Sequence, residues 1–351
     1  MTTLAPEPTS PAPQGRKPSS GRGSSRLATV LKARETGILL ALIAFLAVTT
    51  AINPRFVFST DGFRDLFLTP SILVVLAVGQ AMVIITRNVD LSVGSILGLT
   101  AYLAGRLFLD TGLPILVVVL LAILAGAVLG LVNGLLVAFA RVPALVITLG
   151  TLYVYRGIYL QWAGSDRINA SDIPDGLLSF GTSSLLGIPR LAIVSFVVLA
   201  IAAYWMRTSR GGRELYAIGS DPAAATLYGL KDKQRILTAF AASGALAGLA
   251  GILYVSRYGT ISSGVGFGIE LEAVGAAVIG GVAIFGGSGT VVGAAIGAYL
   301  LTSIDRGLPI LGIPDFWQRA VVGLLILGAI VLDKVLAERQ HKKLLAERHR
   351  S

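Results

Sequence analysis

The sequence predicts an all-α polytopic membrane protein of about ten transmembrane helices (eight to ten), with both termini cytoplasmic. Three observations predict it. The 351 residues are 54% hydrophobic and only 14% charged, against about 25% charged in soluble domains, and mean hydropathy is +0.78. Apolar runs recur along almost the whole chain, parted by short polar turns. Most of the 29 Lys and Arg residues lie in the two tails and in one loop, 207–235. That distribution is the positive-inside signature of a membrane protein and not a nucleic-acid groove, although the net charge is +10.

Residues 1–36 form a basic cytoplasmic tail rich in Pro, Ser, Thr and Gly, a composition that predicts disorder. No short apolar core with a small-residue cleavage site follows its basic positions, so it does not read as a secretory signal. Residues 37–333 form the membrane domain. Its spans are placed near 37–52, 70–86, 91–109, 113–140, 144–163, 190–206, 235–256, 269–285, 288–304 and 316–333. Several are shorter than the roughly 20 residues a perpendicular span needs, so the third and eighth are candidates for broken or re-entrant segments. Residues 334–351 form a second charged cytoplasmic tail. Gly126, Gly130 and Gly134 recur at every fourth position in the fourth span, and Gly289, Gly293 and Gly297 do so in the ninth. Such runs suit close helix packing; they are also compatible with two repeated halves.

The loop 207–235 carries local start and stop signals for a short helix. Asp221 can cap it, Pro222 suits its first position, Ala224, Ala225 and Leu227 give a compact face, and Gly229 ends it. A short capped helix on the cytoplasmic side of a bundle is shaped to dock on a soluble partner. The bland alternative is an ordinary basic loop.

Several chemistries are excluded. There is no Cys, hence no disulfide, thiol nucleophile or cysteine-bound metal, and the two histidines, His341 and His349, lie in the charged tail. No residues match the Walker phosphate loop, and none of the lysines follows a glycine. Gly286-Gly287-Ser288-Gly289 has the look of an intramembrane serine motif, but no base lies near it in sequence; a tight turn is the simpler reading. The segment Arg87–Ser95 joins spans two and three, with Asp90 as a helix cap or a polar hinge. Polar groups inside apolar spans are costly and need a reason: Gln80, Asn133, Arg156, Gln161 and Ser243, with Glu270 and Glu272 at the start of span eight. Gln80, Asn133, Tyr153, Arg156, Glu270 and Glu272 are candidate pathway residues. Arg156 could alternatively anchor at the outer interface.

Several stretches taken in order resemble one family. They are Asp90-Leu91-Ser92-Val93-Gly94-Ser95, Asn133-Gly134, Thr148-Leu149-Gly150-Thr151 with Tyr155-Arg156-Gly157, Ala217-Ile218-Gly219 through Gly229, Gly268-Ile269-Glu270-Leu271, and Gly280-Gly281 through Phe285-Gly286-Gly287-Ser288-Gly289. Over about residues 37–333 the chain resembles the permease subunit of bacterial ATP-binding-cassette sugar importers of the ribose type. Thr86-Arg87-Asn88 and Leu308-Pro309 through Trp317 look closest to its rhamnose and autoinducer branches.

The resemblance implies a multi-pass protein of the bacterial cytoplasmic membrane, surrounded by membrane lipid. It would carry a monosaccharide or a related polyol or furanosyl compound. It implies a dimer with a second copy or a sister permease, an extracytoplasmic sugar-binding protein, and two ATPase subunits docked on 207–235. This chain would hold no cofactor; ATP and magnesium would sit on the partner. Gly219, Asp221, Pro222, Ala224, Ala225, Leu227 and Gly229 would form the coupling segment, and Asp90, Ser92, Gly94, Gly286, Gly287 and Gly289 are the other motif positions. Pro222, Ala223 and Thr226 depart from the residues usual in the family. Two rivals remain: a gradient-driven secondary transporter with Asp90 and Glu270 as its ionisable groups, and an importer permease for branched-chain amino acids.

Overall fold

The computed structural model describes residues 34–140 and 142–314, with isolated positions between 317 and 331. Much of the predicted tenth span, the C-terminal tail, Arg141 and nearly all of the N-terminal tail lie outside the described residues.

Helix α1 (Arg34–Ile52) runs along the outside of the bundle, with Leu40 and Ile43 exposed. A short α2 (Arg55–Phe58) leads to α3 (Thr60–Leu68), capped by Ser59. Next comes α4 (Ser71–Ile85), and every residue of α4 is buried. A helix apolar on all sides needs protein on all sides. It is enclosed by α9 (Arg190–Thr208), α12 (Asp232–Tyr258), α13 (Ile269–Ile279) and α14 (Val291–Gly307). Residues 60–85 are long and apolar enough for one span, so the sequence-based span from 70 begins about ten residues late. Pro70 is the cause: it reads as a boundary, yet its backbone is helical (φ −75°, ψ −11°).

The third span is helix α5 (Val93–Thr111). It starts within the bundle, because Asp90, Ser92 and Gly94 ahead of and at its first turn are all buried. Helix α6 (Ile115–Phe139) packs along α12 through small residues. An ideal Cβ on Gly130 would lie 2.2 Å from the Phe240 carbonyl oxygen, and one on Gly244 would lie 2.2 Å from that of Gly126. Close backbone approach therefore accounts for the Gly126–Gly130–Gly134 run. The other run serves α13 against α14, where a Cβ on Gly297 would lie 2.0 Å from the Ala276 carbonyl oxygen. Helix α7 (Ala144–Ala163) follows Pro143.

Among the described residues, six helices are long and apolar enough to cross a membrane. The eighth predicted span differs most. Helix α13 has 11 residues, about 16 Å of rise against a hydrocarbon thickness near 30 Å. It reaches only partway, and a glycine-rich turn over 280–290 returns the chain into α14.

Residues 164–189 are not a plain loop. They contain a 3-10 turn (Ala170–Asp172), helix α8 (Asp175–Thr182) and a two-stranded antiparallel hairpin, β1 (Ser184–Leu185) and β2 (Ile188–Pro189). Ile168 also pairs with Ile261. This end of the bundle is tied by Ser256, which donates to the Leu177 carbonyl (2.7 Å), and by Arg64, which donates to that of Thr182 (2.7 Å).

Candidate functional site

A polar seam runs through the interior where α5 begins. Asp90 is fully buried. Its Oδ1 accepts from the Ser92 amide (3.0 Å) and hydroxyl (2.7 Å), and its Oδ2 from Ser243 Oγ (3.4 Å). Asn133 Nδ2 donates to Ser92 Oγ (2.7 Å), while Asn133 Oδ1 accepts from Tyr155 Oη (3.2 Å). The loop 86–92 and helices α6, α7 and α12 thus share one neutral-donor network around a carboxylate. Thr148 Oγ1 donates to the Val89 carbonyl (2.9 Å) and Ser95 Oγ to that of Leu152 (2.9 Å), which fixes α7 to both the loop and α5.

One turn further along α7, Arg156 is buried. Its guanidinium donates to the carbonyls of Val265 (2.7 Å) and Gly266 (2.9 Å), and Tyr159 Oη donates to the Ser262 carbonyl. These bonds hold the segment 262–266 across the start of α5. Glu270 is buried at the start of α13; its Oε1 accepts from the Gly268 amide (3.2 Å), and Oε2 has no hydrogen-bond partner among the described residues. An ideal Cβ on Gly94 would lie 2.2 Å from that Oε2 and 2.5 Å from the Gly266 carbonyl oxygen. Two helix N-termini therefore meet inside the bundle, with a carboxylate against the first turn of α5, where the helix dipole favours negative charge.

The predicted pathway residues separate into three groups. Asn133, Arg156 and Glu270 belong to the seam just described. Gln80 is buried in α4, with both amide atoms unpaired among the described residues. Tyr153 and Glu272 face out of the chain, as do Phe267, 75% exposed, and Leu271. Arg156 is no interfacial anchor, because its cation is spent on interior carbonyls.

The second constellation sits at the basic end. Helix α10 (Arg210–Ser220) leads into α11 (Pro222–Leu227). Asp221 caps α11, with Oδ1 accepting from the amides of Ala223 and Ala224 (both 3.0 Å). Ala225 is buried, Gly229 closes the helix at φ +71°, and Leu227 and Tyr228 are 88% and 86% exposed. The capped helix predicted from local signals is present, with an exposed apolar tip.

What holds it was not legible. Arg87 Nε donates to the Gly219 carbonyl (2.5 Å) and Nη2 to that of Ser220 (2.7 Å). Gly219 itself is wedged: a Cβ there would come within 1.8 Å of the Ile85 carbonyl oxygen. That same oxygen accepts from the Gly287 amide (2.9 Å), and Tyr216 Oη donates to the Gly289 carbonyl (2.9 Å). Gly286, Gly287 and Gly289, all at positive φ, thus form a turn packed against α10 and Arg87. Glu214 is clamped by Arg210 (2.7 Å) and Arg235 (2.5 Å). Those hydrogen bonds, Arg235 first, hold its carboxyl below the usual glutamate range. The i, i+4 spacing of Arg210 and Glu214 was a readable signal; the reach of Arg87 over 132 positions was not.

A helical bundle with an interior break in two helices, and with an exposed capped helix tied to that break, has the build of a membrane permease. The chain is a multi-pass inner-membrane permease of the ATP-binding-cassette importer class. It belongs to the family described as "Branched-chain amino acid transport system / permease component", matched over residues 63–330. It is 40% identical to an "Autoinducer 2 import system permease protein LsrC" of Enterobacter sp. (strain 638), over 87% of this chain and 88% of that protein. Proteins of the same name from Salmonella paratyphi B (86% and 86% covered) and Yersinia pseudotuberculosis serotype O:3 (86% and 84% covered) are each 38% identical to it. No solved structure matches the chain.

Proposed function

We propose that this permease imports a furanosyl compound of the autoinducer 2 type. The observation that carries this reading is the similarity to autoinducer 2 import permeases over nearly nine tenths of the chain. The basic end faces the cytoplasm, as the positive-inside pattern requires. There the exposed tip at Leu227 and Tyr228 docks on an ATPase subunit, which holds ATP and magnesium and hydrolyses the nucleotide. An extracytoplasmic binding protein delivers substrate at the opposite end, and a second copy or sister permease completes the path. Residues 37–333 serve as the permease domain, with 207–235 as its coupling loop.

The mechanism is alternating access. Closure of the ATPases moves α11. Through Gly219 and Ser220 the motion reaches Arg87, and three residues further on it reaches Asp90 and the start of α5. The turn 286–289 shares the same anchor, so α13 moves with it. Asn133, Arg156 and Glu270 act as the hinge that shapes the path; Tyr153 and Glu272 on the outward face line it.

The test is uptake of labelled autoinducer 2 by cells carrying the importer. Asp221→Ala combined with Gly229→Pro should abolish uptake while leaving membrane insertion intact. Wild-type uptake by that variant would sink the coupling assignment. The description of the matched family supports a second reading, a branched-chain amino acid permease. Uptake of leucine but not of autoinducer 2 would favour it. Uptake that survived ATP depletion but collapsed with an ionophore would favour a gradient-driven carrier.

A further inference from the structure

At the basic end, on the outer side of the bundle, lies a cleft of about 470 Å³ that the transport mechanism does not use. Its rim carries Glu35 in the first turn of α1, Arg207 in the last turn of α9, and Arg213 and Tyr216 on α10. Its floor is apolar, formed by Met206 and Val292 among others.

The polar rim is only partly satisfied from within. Glu35 accepts from Thr290 Oγ1, Tyr216 Oη is spent on the Gly289 carbonyl, and Arg213 Nη1 donates to the Thr208 carbonyl (2.8 Å). Arg207 makes no hydrogen bond or ion pair among the described residues. Two guanidinium groups thus face one carboxylate that already has a donor. The cleft also sits where two membrane-spanning helices end. On the membrane side of it, α1 exposes Leu39 and Leu40 and α9 exposes Ile201 and Tyr204.

We propose that this cleft binds the phosphate headgroup of an anionic phospholipid. Arg207 and Arg213 take the phosphate, with an acyl chain over Met206 and along the exposed apolar side of α1 and α9. Basic pockets between spans at a headgroup level recognise lipids in this way, and guanidinium suits phosphate oxygens better than a point cation does. A free phosphate would satisfy the arginines but would leave the apolar floor uncovered, so the lipid is the better occupant. Because α10 continues from this rim to Gly219, a lipid here braces the base of the coupling segment.

The test uses the full chain purified in a neutral detergent. Phosphatidylglycerol, phosphatidylcholine or inorganic phosphate is added, and bound lipid is counted by native mass spectrometry alongside the melting temperature. Phosphatidylglycerol should be retained and should raise the melting temperature, while the other two should do neither. Arg207→Gln with Arg213→Gln should lower phosphatidylglycerol affinity roughly 30-fold, the scale expected for losing two basic side chains at an anionic surface. Arg207→Lys with Arg213→Lys, which keeps the charge but not the fork, should lie between that variant and the wild type. Arg207→Gln alone, at a side chain with no bond to lose, should show a smaller drop and guards against misfolding of the double variant. Equal retention of phosphatidylcholine overturns the proposal, as does a Gln variant that binds like the wild type. An equal shift from inorganic phosphate would make this an anion site and overturn the lipid assignment.

Discussion

Arg87→Ala should uncouple ATP hydrolysis from transport. Arg87 stands at φ +66°, a left-handed backbone that a non-glycine residue keeps only when its surroundings demand it. The demand comes from the two hydrogen bonds to Gly219 and Ser220, at 2.5 and 2.7 Å. Hydrogen bonds to a charged group contribute about 1.5–3 kcal/mol each when shielded. Arg87 is exposed at the surface, so solvent screening reduces each to about 1 kcal/mol. Losing both is then worth about 2 kcal/mol, roughly a 30-fold fall in the population with the coupling segment docked. The rest of the bundle does not depend on those bonds, so the fold should stand. The assay is reconstitution with the ATPase partner, with ATP hydrolysis and uptake read in parallel. Uptake should fall at least about tenfold while the melting temperature stays near wild type, and Arg87→Lys, which cannot fork onto two carbonyls, should lie between. Wild-type uptake by Arg87→Ala would refute the linkage. A collapse of the melting temperature would show instead that the residue is a pillar of the fold.

Three further outcomes are expected. Arg156→Met leaves the buried Val265 carbonyl and the half-buried Gly266 carbonyl without their donors; at about 1–3 kcal/mol for a buried orphaned group the melting temperature of the purified chain should drop by several degrees. Gly94→Ala drives a methyl group into the Glu270 carboxylate and the Gly266 carbonyl, an overpacking cost of about 1–3 kcal/mol; uptake should fall more than expression, and normal uptake would discount the hinge. Glu214 is held below the usual glutamate range by Arg235 and Arg210, so its folded-state value lies under its unfolded one. Its stabilisation is complete above the unfolded value and is lost as pH falls through the folded one. The wild type should therefore lose thermal stability more steeply than Glu214→Gln as pH falls below about 4.3, the ordinary glutamate value, and parallel pH profiles would count against the clamp.

Local chemistry made the capped helix α11 readable. A cap bonds within three residues of itself, so Asp221, Pro222 and Gly229 declare their helix wherever the chain goes. The apolar runs were equally plain, because a bilayer demands length and hydrophobicity from each span by itself, and the run from 232 to 258 needs no neighbour to be recognised. Difficulty began where a residue's partner is remote. Pro70 obscured a span that continues through it. Arg156 could be read from the sequence as a pathway residue or as an anchor at the membrane surface, and nothing local decides between them, because the carbonyls it bonds lie 109 and 110 positions away.

The sequence by itself determined that the chain is helical, membrane-embedded and built with one capped basic-side helix. Composition, span length and capping are properties of a residue and its near neighbours, and the bilayer imposes them before any helix packs. Only the tertiary structure decided that Asp90 meets Asn133 and Ser243, that Glu270 sits against the first turn of α5, and that Arg87 holds the end of α10 at Gly219 and Ser220. Those pairings gather around polar groups held inside the bundle, near the starts of α5 and α13 and the end of α10. Such groups must be satisfied by whatever donors packing brings near, and no spacing within the sequence specifies which ones those are.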